Sequence, residues 1–148
     1  IFTKSNADYN GNEFNRYLEH EIEKWENAKL VDSLGRIGYV STLKFAKIMI
    51  GNSSSGLYEA PVFKIPTINI GNRQKGRVHG NTVINCEVSE NAINNAILTA
   101  LSENFQDQCK KSENMFGDGH AAEKIIKHIK DKLKGTIDLE KQFYDIDS

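Results

Sequence analysis

Ile48-Met49-Ile50-Gly51-Asn52-Ser53-Ser54-Ser55-Gly56-Leu57-Tyr58-Glu59 is the stretch that decides how this chain folds. Its apolar opening, Ile48-Met49-Ile50, is too short for a helix and suits a strand whose two faces are both covered. The chain then turns through Gly51-Asn52, and Ser53, Ser54, Ser55 and Gly56 lead into Leu57-Tyr58-Glu59-Ala60, which reads as a helix running to Pro61 or shortly after. A strand that ends in a small-residue turn and re-enters as a helix is half of a βαβ unit, and such units build parallel sheets.

The flanking sequence repeats that alternation. Downstream, Thr67-Ile68-Asn69-Ile70 is a strand, Gly71–Gly80 a basic loop punctuated by glycine, and Thr82–Cys86 the last strand of the sheet. Glu90–Leu101 is a helix capped by Ser89. Asp118–Lys134 reads as another, with Ile125, Ile126, Ile129 and Leu133 as its buried stripe. Upstream, Ile1–Lys4 is a strand and Ser5–Gly11 a polar loop. Glu13–Asn27 is a helix carrying Phe14, Tyr17, Leu18, Ile22 and Trp25, with Asn10 or Asn12 as cap. Lys29–Ser33 is a short strand, Leu34–Gly38 a glycine-bearing loop and Tyr39–Lys47 a helix. The fold class is α/β, a Rossmann-like parallel sheet flanked by helices. Residues 1–134 form one domain, and the tail 135–148, with Ile137, Leu139, Phe143 and Tyr144, is apolar enough to dock on something.

Composition narrows the function. The 148 residues suffice for one domain with its own core and are too few for two substantial ones. Nineteen Lys and Arg stand against 20 Asp and Glu, so no global basic field points to nucleic acid. No apolar run is long enough to cross a bilayer, and Ile1-Phe2-Thr3-Lys4 lacks a signal-peptide pattern. Cys86 and Cys109 have no CxxC spacing and read as buried free thiols of a reducing cytoplasm. No cluster has metal-ligand spacing, no nucleophile–base pair is visible, and no cofactor is implied.

The chemistry lies in the turns after the strands. Backbone N–H groups at a helix start lack intrahelical acceptors and carry the positive end of the helix dipole, so Asn52-Ser53-Ser54-Ser55-Gly56 favours an anion. Serine hydroxyls add donors, and Gly51 and Gly56 allow close approach of backbone to a phosphate. The plain alternative is that Ser53 or Ser54 merely caps the helix. Glu59 follows about one turn later; its carboxylate opposes a phosphate and suits ribose hydroxyls instead, or simple solvation. Arg73, Lys75 and Arg77 place three cations on the loop after the next strand, where a guanidinium fork suits a phosphate or the plane of a base. Asp118 in Met115-Phe116-Gly117-Asp118-Gly119-His120 is a helix cap or a ligand contact. His20 and His128 fall on polar helix faces, whereas His79 and His120 lie in glycine-containing loops.

These segments together resemble the C-terminal domain of hydrolysing UDP-N-acetylglucosamine 2-epimerases. The resemblance rests on Ile50–Gly56, Glu59-Ala60-Pro61 and Ile68–Arg77, with its RQKGR run, and extends to Phe2–Asp8, Phe116-Gly117-Asp118-Gly119 and Phe143-Tyr144-Asp145. Phe116 stands where the family commonly has tyrosine. Non-hydrolysing relatives share the serine turn but carry an acidic, threonine-rich run in place of Asn69–Arg77. The resemblance implies the C-terminal half of a glycosyltransferase-B-like protein, two Rossmann-like domains facing across a cleft. It implies that Ser53 and Ser54 contact the diphosphate of UDP or a UDP-N-acetylhexosamine, that Glu59 binds ribose, and that Arg73 lies near the phosphates. Leu34, Gly35 and Arg36, within Leu34–Gly38, would frame the uracil. It further implies that the domain's first strand, the N-terminal domain and the acid/base carboxylates precede Ile1, that these 148 residues alone are inactive, and that the tail docks on that absent domain. A homo-oligomer stays open. So do two other functions: a glycosyltransferase donor domain and a non-catalytic nucleotide-binding module.

Overall fold

The structure, a computed structural model, describes residues 1–5 and 11–135. Strand β1 (Phe2–Thr3) pairs in parallel with β2 (Leu30–Val31), and α1 (Gly11–Ile22) connects them. After α2 (Gly35–Leu43), a second parallel sheet runs in the order β3 (Met49–Gly51), β4 (Thr67–Ile70), β5 (Val83–Cys86). The crossover from β3 to β4 consists of α3 (Ser55–Tyr58) and a 3-10 turn (Ala60–Phe63); α4 (Glu90–Leu101), α5 (Glu103–Lys111) and α6 (Ala121–Lys132) follow β5. The α/β class with parallel sheets flanked by helices is therefore observed.

Helices cover both faces of the larger sheet, which is why its strands are apolar. On one face Leu43, Ala60 and Ile65 pack with Tyr39, Met49 and Phe63. On the other, Ile68, Ala96 and Ala100 pack with Ile48, Ile70, Ile84 and Ile97. Residues alternate along β4 as a pleat requires: Ile68 and Ile70 meet α4, while Thr67 faces α3 and donates its hydroxyl to the Gly56 carbonyl at 2.9 Å. Register pairs Met49 with Thr67 and Gly51 with Asn69, so β3 and β4 end side by side.

Ile50 departs from expectation. It is 43% exposed although its apolar run suggests burial. Among the described residues no strand pairs with the far edge of β3. Met49 N–H donates to the Pro66 carbonyl at 2.9 Å on the β4 side, and alternation turns the backbone of Ile50 toward the open edge.

Several boundaries also move. The segment 34–38, read as a loop, holds the first turn of α2: Gly35 takes a left-handed φ of +59°, its N–H donates to Ser33 Oγ at 3.1 Å, and the helix starts there. The helix expected to Lys47 stops at Leu43, leaving residues to turn into β3. Helix α1 begins at Gly11, which places Asn12 inside it rather than at its cap, and it ends at Ile22; Lys24, Trp25 and Ala28 continue in i−3 turns. Asn10, the other proposed cap, lies outside the described residues. Helix α5 was not expected. Ser102 Oγ accepts from Phe105 N–H at 3.3 Å and starts it anew after the α4 break, as Ser89 does for α4 through Ala92 N–H. Finally, α6 spans Ala121–Lys132, and its Ile125, Ile126, Ile129 and Leu133 stripe is 51–65% exposed, not buried. The helical period encodes an apolar face but says nothing of what covers it. The tail proposed for 135–148 lies, beyond residue 135, outside the described residues.

Candidate functional site

Because β3 and β4 end in register, the turns that follow them are neighbours at the carboxyl edge of the sheet, where ligands of open α/β sheets bind. Asn52 and Ser53 are exposed, Ser54 and Ser55 half-buried, Gly56 buried. Helix α3 is a single turn of four residues, so the dipole available to an anion is far smaller than a full helix would supply. What the turn does offer is donors. Among the described residues the N–H groups of Ser53 and Ser54 have no protein acceptor. Ser54 occupies the N-cap position without any side-chain capping bond; Ser53 Oγ accepts weakly from Ser55 N–H at 3.3 Å. The capping alternative therefore accounts for little of this serine run.

Two of the expected phosphate contacts have other work. Ser55 Oγ is hydrogen-bonded to the Tyr39 hydroxyl of α2. Gly56 sits so close to β4 that a Cβ there would lie 2.6 Å from Thr67 Cγ2 and 3.6 Å from Met49 Sδ. Its smallness therefore serves helix–strand packing. Gly51 is different: its φ of +153° belongs to glycine and nothing crowds its Cβ position.

The cationic loop joins the serine turn through a residue that sequence reading passed over. Gln74, 5% exposed, donates its Nε2 to the Asn52 carbonyl at 2.7 Å. Its neutrality between Arg73 and Lys75 was the available signal. Arg73, Lys75 and Arg77 are exposed, and Arg77 N–H closes a turn onto the Gln74 carbonyl at 3.1 Å.

The remaining motifs meet the same helical turn. Phe116 packs edge-on against Tyr58, the residue before Glu59, with ring centroids 4.8 Å apart. Glu59 is exposed at the end of α3 and is close enough to Tyr39 to help burial push that phenol upward against the Ser55 bond. Tyr39 lies one turn beyond Arg36 on α2, so the helix that begins at Leu34 and Gly35 reaches the serine turn through it. Leu34 is half-buried and Gly35 and Arg36 are exposed.

Asp118 does not cap α6. His120 holds that position, and Asp118 Oδ1 accepts from His120 N–H at 3.0 Å in a loop turn. Lys124, at 2.9 Å, holds the Asp118 carboxyl below its usual range. His79 Nε2 bonds Asn85 at 3.1 Å, while His20 and His128 are exposed. Cys109 is buried, Cys86 half-buried, and burial raises both thiols. Among the described residues no group of three His, Cys, Asp or Glu could hold a metal ion, and no helix is long and apolar enough to cross a membrane.

The serine turn and the cationic loop thus meet at one edge of the sheet, with Glu59 one helical turn on. A family model described as UDP-N-acetylglucosamine 2-epimerase matches residues 1–130. The chain belongs to the UDP-N-acetylglucosamine 2-epimerase family. It is 42% identical over 147 residues to a GDP/UDP-N,N'-diacetylbacillosamine 2-epimerase (hydrolyzing) of Campylobacter jejuni, covering 99% of this chain and 38% of that protein. It is 38% identical over 146 residues to polysialic acid biosynthesis protein P7 of Escherichia coli, covering 99% of this chain and 37% of that protein. A UDP-N,N'-diacetylbacillosamine 2-epimerase (hydrolyzing) of Legionella pneumophila is 30% identical over 130 residues, 88% of this chain and 33% of its own length. The chain thus spans less than two fifths of these relatives.

Proposed function

We propose that these residues are the nucleotide-gripping part of a hydrolysing UDP-N-acetylglucosamine 2-epimerase, one serving the synthesis of sialic-acid-type surface polysaccharide in the cytoplasm. The observation that carries the reading is the joining of the serine turn to the cationic loop at the ends of β3 and β4, with Glu59 one turn away. UDP or a UDP-N-acetylhexosamine is the ligand. Ser53 and Ser54 offer N–H and hydroxyl donors to the diphosphate, Asn52 and Ser55 shape the turn, and Gly56 seats it on β4. Arg73 and Arg77 supply charge, Glu59 accepts from ribose hydroxyls, and Leu34, Gly35 and Arg36 frame the uracil. In the reaction, a base takes the C2 proton, a C1–C2 double bond forms and the C1–O bond to UDP breaks; water then adds to give N-acetylmannosamine. This domain stabilises the departing UDP, and the proton transfers belong to residues outside it.

The strand order fits one Rossmann-like half of a two-domain, glycosyltransferase-B-like whole. A doubly wound sheet of order 3-2-1-4-5-6, stripped of its central strand, leaves one parallel pair and one parallel triplet, as in β2-β1 and β3-β4-β5. The open edge beside Ile50 is then the seat of that strand, and the tail 135–148 docks on the partner domain.

The test is the whole protein with UDP-N-acetylglucosamine, and separately with UDP-N,N'-diacetylbacillosamine. Equal release of UDP and the 2-epimerised free sugar is the expected result. A glycosylated acceptor would make the protein a transferase, and release of neither product from either sugar would overturn the reading.

A further inference from the structure

Gln74 is the anomaly of the cationic loop. It is 5% exposed, flanked by the exposed residues Arg73 and Lys75, and its Oε1 is buried without a partner among the described residues. A methionine or leucine would fill the same space without leaving an acceptor bare, a fault that costs free energy in any interior. The residue therefore makes sense through its other half, the Nε2 donor on the Asn52 carbonyl at 2.7 Å.

That carbonyl is well chosen. The Asn52–Ser53 peptide is planar and trans, so its C=O and the Ser53 N–H point in opposite directions. Fixing the first fixes the second. Gly51, just before, ends β3 with an uncrowded Cβ position and a φ of +153°, so the sheet's hold on the backbone stops there and the Gln74 bond extends it into the turn. We propose that Gln74 is a positioning residue: by holding the Asn52 carbonyl it aims the Ser53 N–H at the ligand's phosphate, and it makes the Arg73 loop and the serine turn one rigid receptor. This rests on the proposed UDP site and specifies how that site is preorganised.

Gln74→Met keeps the side-chain volume and removes the donor. The order parameter of the Ser53 N–H is expected near about 0.85 in the wild-type chain and below about 0.6 in the variant. UDP affinity is expected to fall about tenfold. In the wild-type chain, a scalar coupling across the hydrogen bond between Gln74 Nε2 and the Asn52 carbonyl carbon is expected, and this measurement needs no variant if the substitution prevents folding. Absence of the coupling overturns the proposal. So does an unchanged Ser53 order parameter, or a lowered melting temperature with UDP affinity intact, which marks a merely structural role. Failure of the wild-type chain to bind UDP at all is a separate result, seen without any variant; it removes the nucleotide reading and this inference with it.

Discussion

Gly56→Ala is expected to destabilise the fold by roughly 1–3 kcal/mol, the usual cost of forcing a methyl into a packed interior. The added Cβ would lie 2.6 Å from Thr67 Cγ2. Thr67 is 2% exposed and its hydroxyl is tied to the Gly56 carbonyl at 2.9 Å, so it has nowhere to move. Alanine is otherwise the better helix former, which makes the expected sign a statement about packing alone. The matching second substitution is Thr67→Ser, which deletes Cγ2 and keeps the tethering hydroxyl. Urea unfolding of the single and double variants measures the coupling. Recovery of most of the lost stability in the double variant is expected. An alanine variant that keeps full stability would contradict this packing role.

Arg73→Ala should lower UDP affinity by roughly 10- to 100-fold, the range that a charge-assisted hydrogen bond to phosphate supplies. The comparison that decides its role is with uridine. A guanidinium on the diphosphate contributes nothing to a ligand without phosphates, so uridine affinity should barely change. Isothermal titration of both ligands separates the two readings of this fork. Equal losses for UDP and uridine would move Arg73 onto the plane of the base. Arg73→Lys should recover part of the UDP affinity, since the charge returns without the bidentate geometry.

Much of this was legible in the residues themselves. Strands at Ile48–Ile50 and Thr67–Ile70, each followed by a turn rich in small or cationic residues, were read from short apolar runs, because such runs have few other uses in an α/β chain; the first is observed one residue later, at Met49–Gly51. The Ser89 cap fixed the start of α4 to the residue. Other features are invisible to pattern. Gly35 and Gly38 argued for a loop, yet one takes a left-handed start and the other sits within α2. The packing of Gly56 against Thr67 was also hidden, because sequence shows that a side chain is missing and not what occupies its place. Gln74 and Tyr39 act across 22 and 16 residues of chain, distances over which no local spacing reports a hydrogen bond. The bare stripe of α6 and the exposed Ile50 have the same origin: hydrophobic periodicity records a face that needs cover, and the cover is another segment's property.

The proposed site places UDP at the ends of β3 and β4. Titrating the isotope-labelled chain with UDP while following its backbone amide resonances tests it most directly. Saturable shifts concentrated at Ser53, Ser54, Glu59 and Arg73 are expected, with the response at the serine turn lost in Ser54→Ala and weakened in Glu59→Ala. Shifts confined to other parts of the chain, or none at UDP concentrations that saturate the whole enzyme, would contradict it.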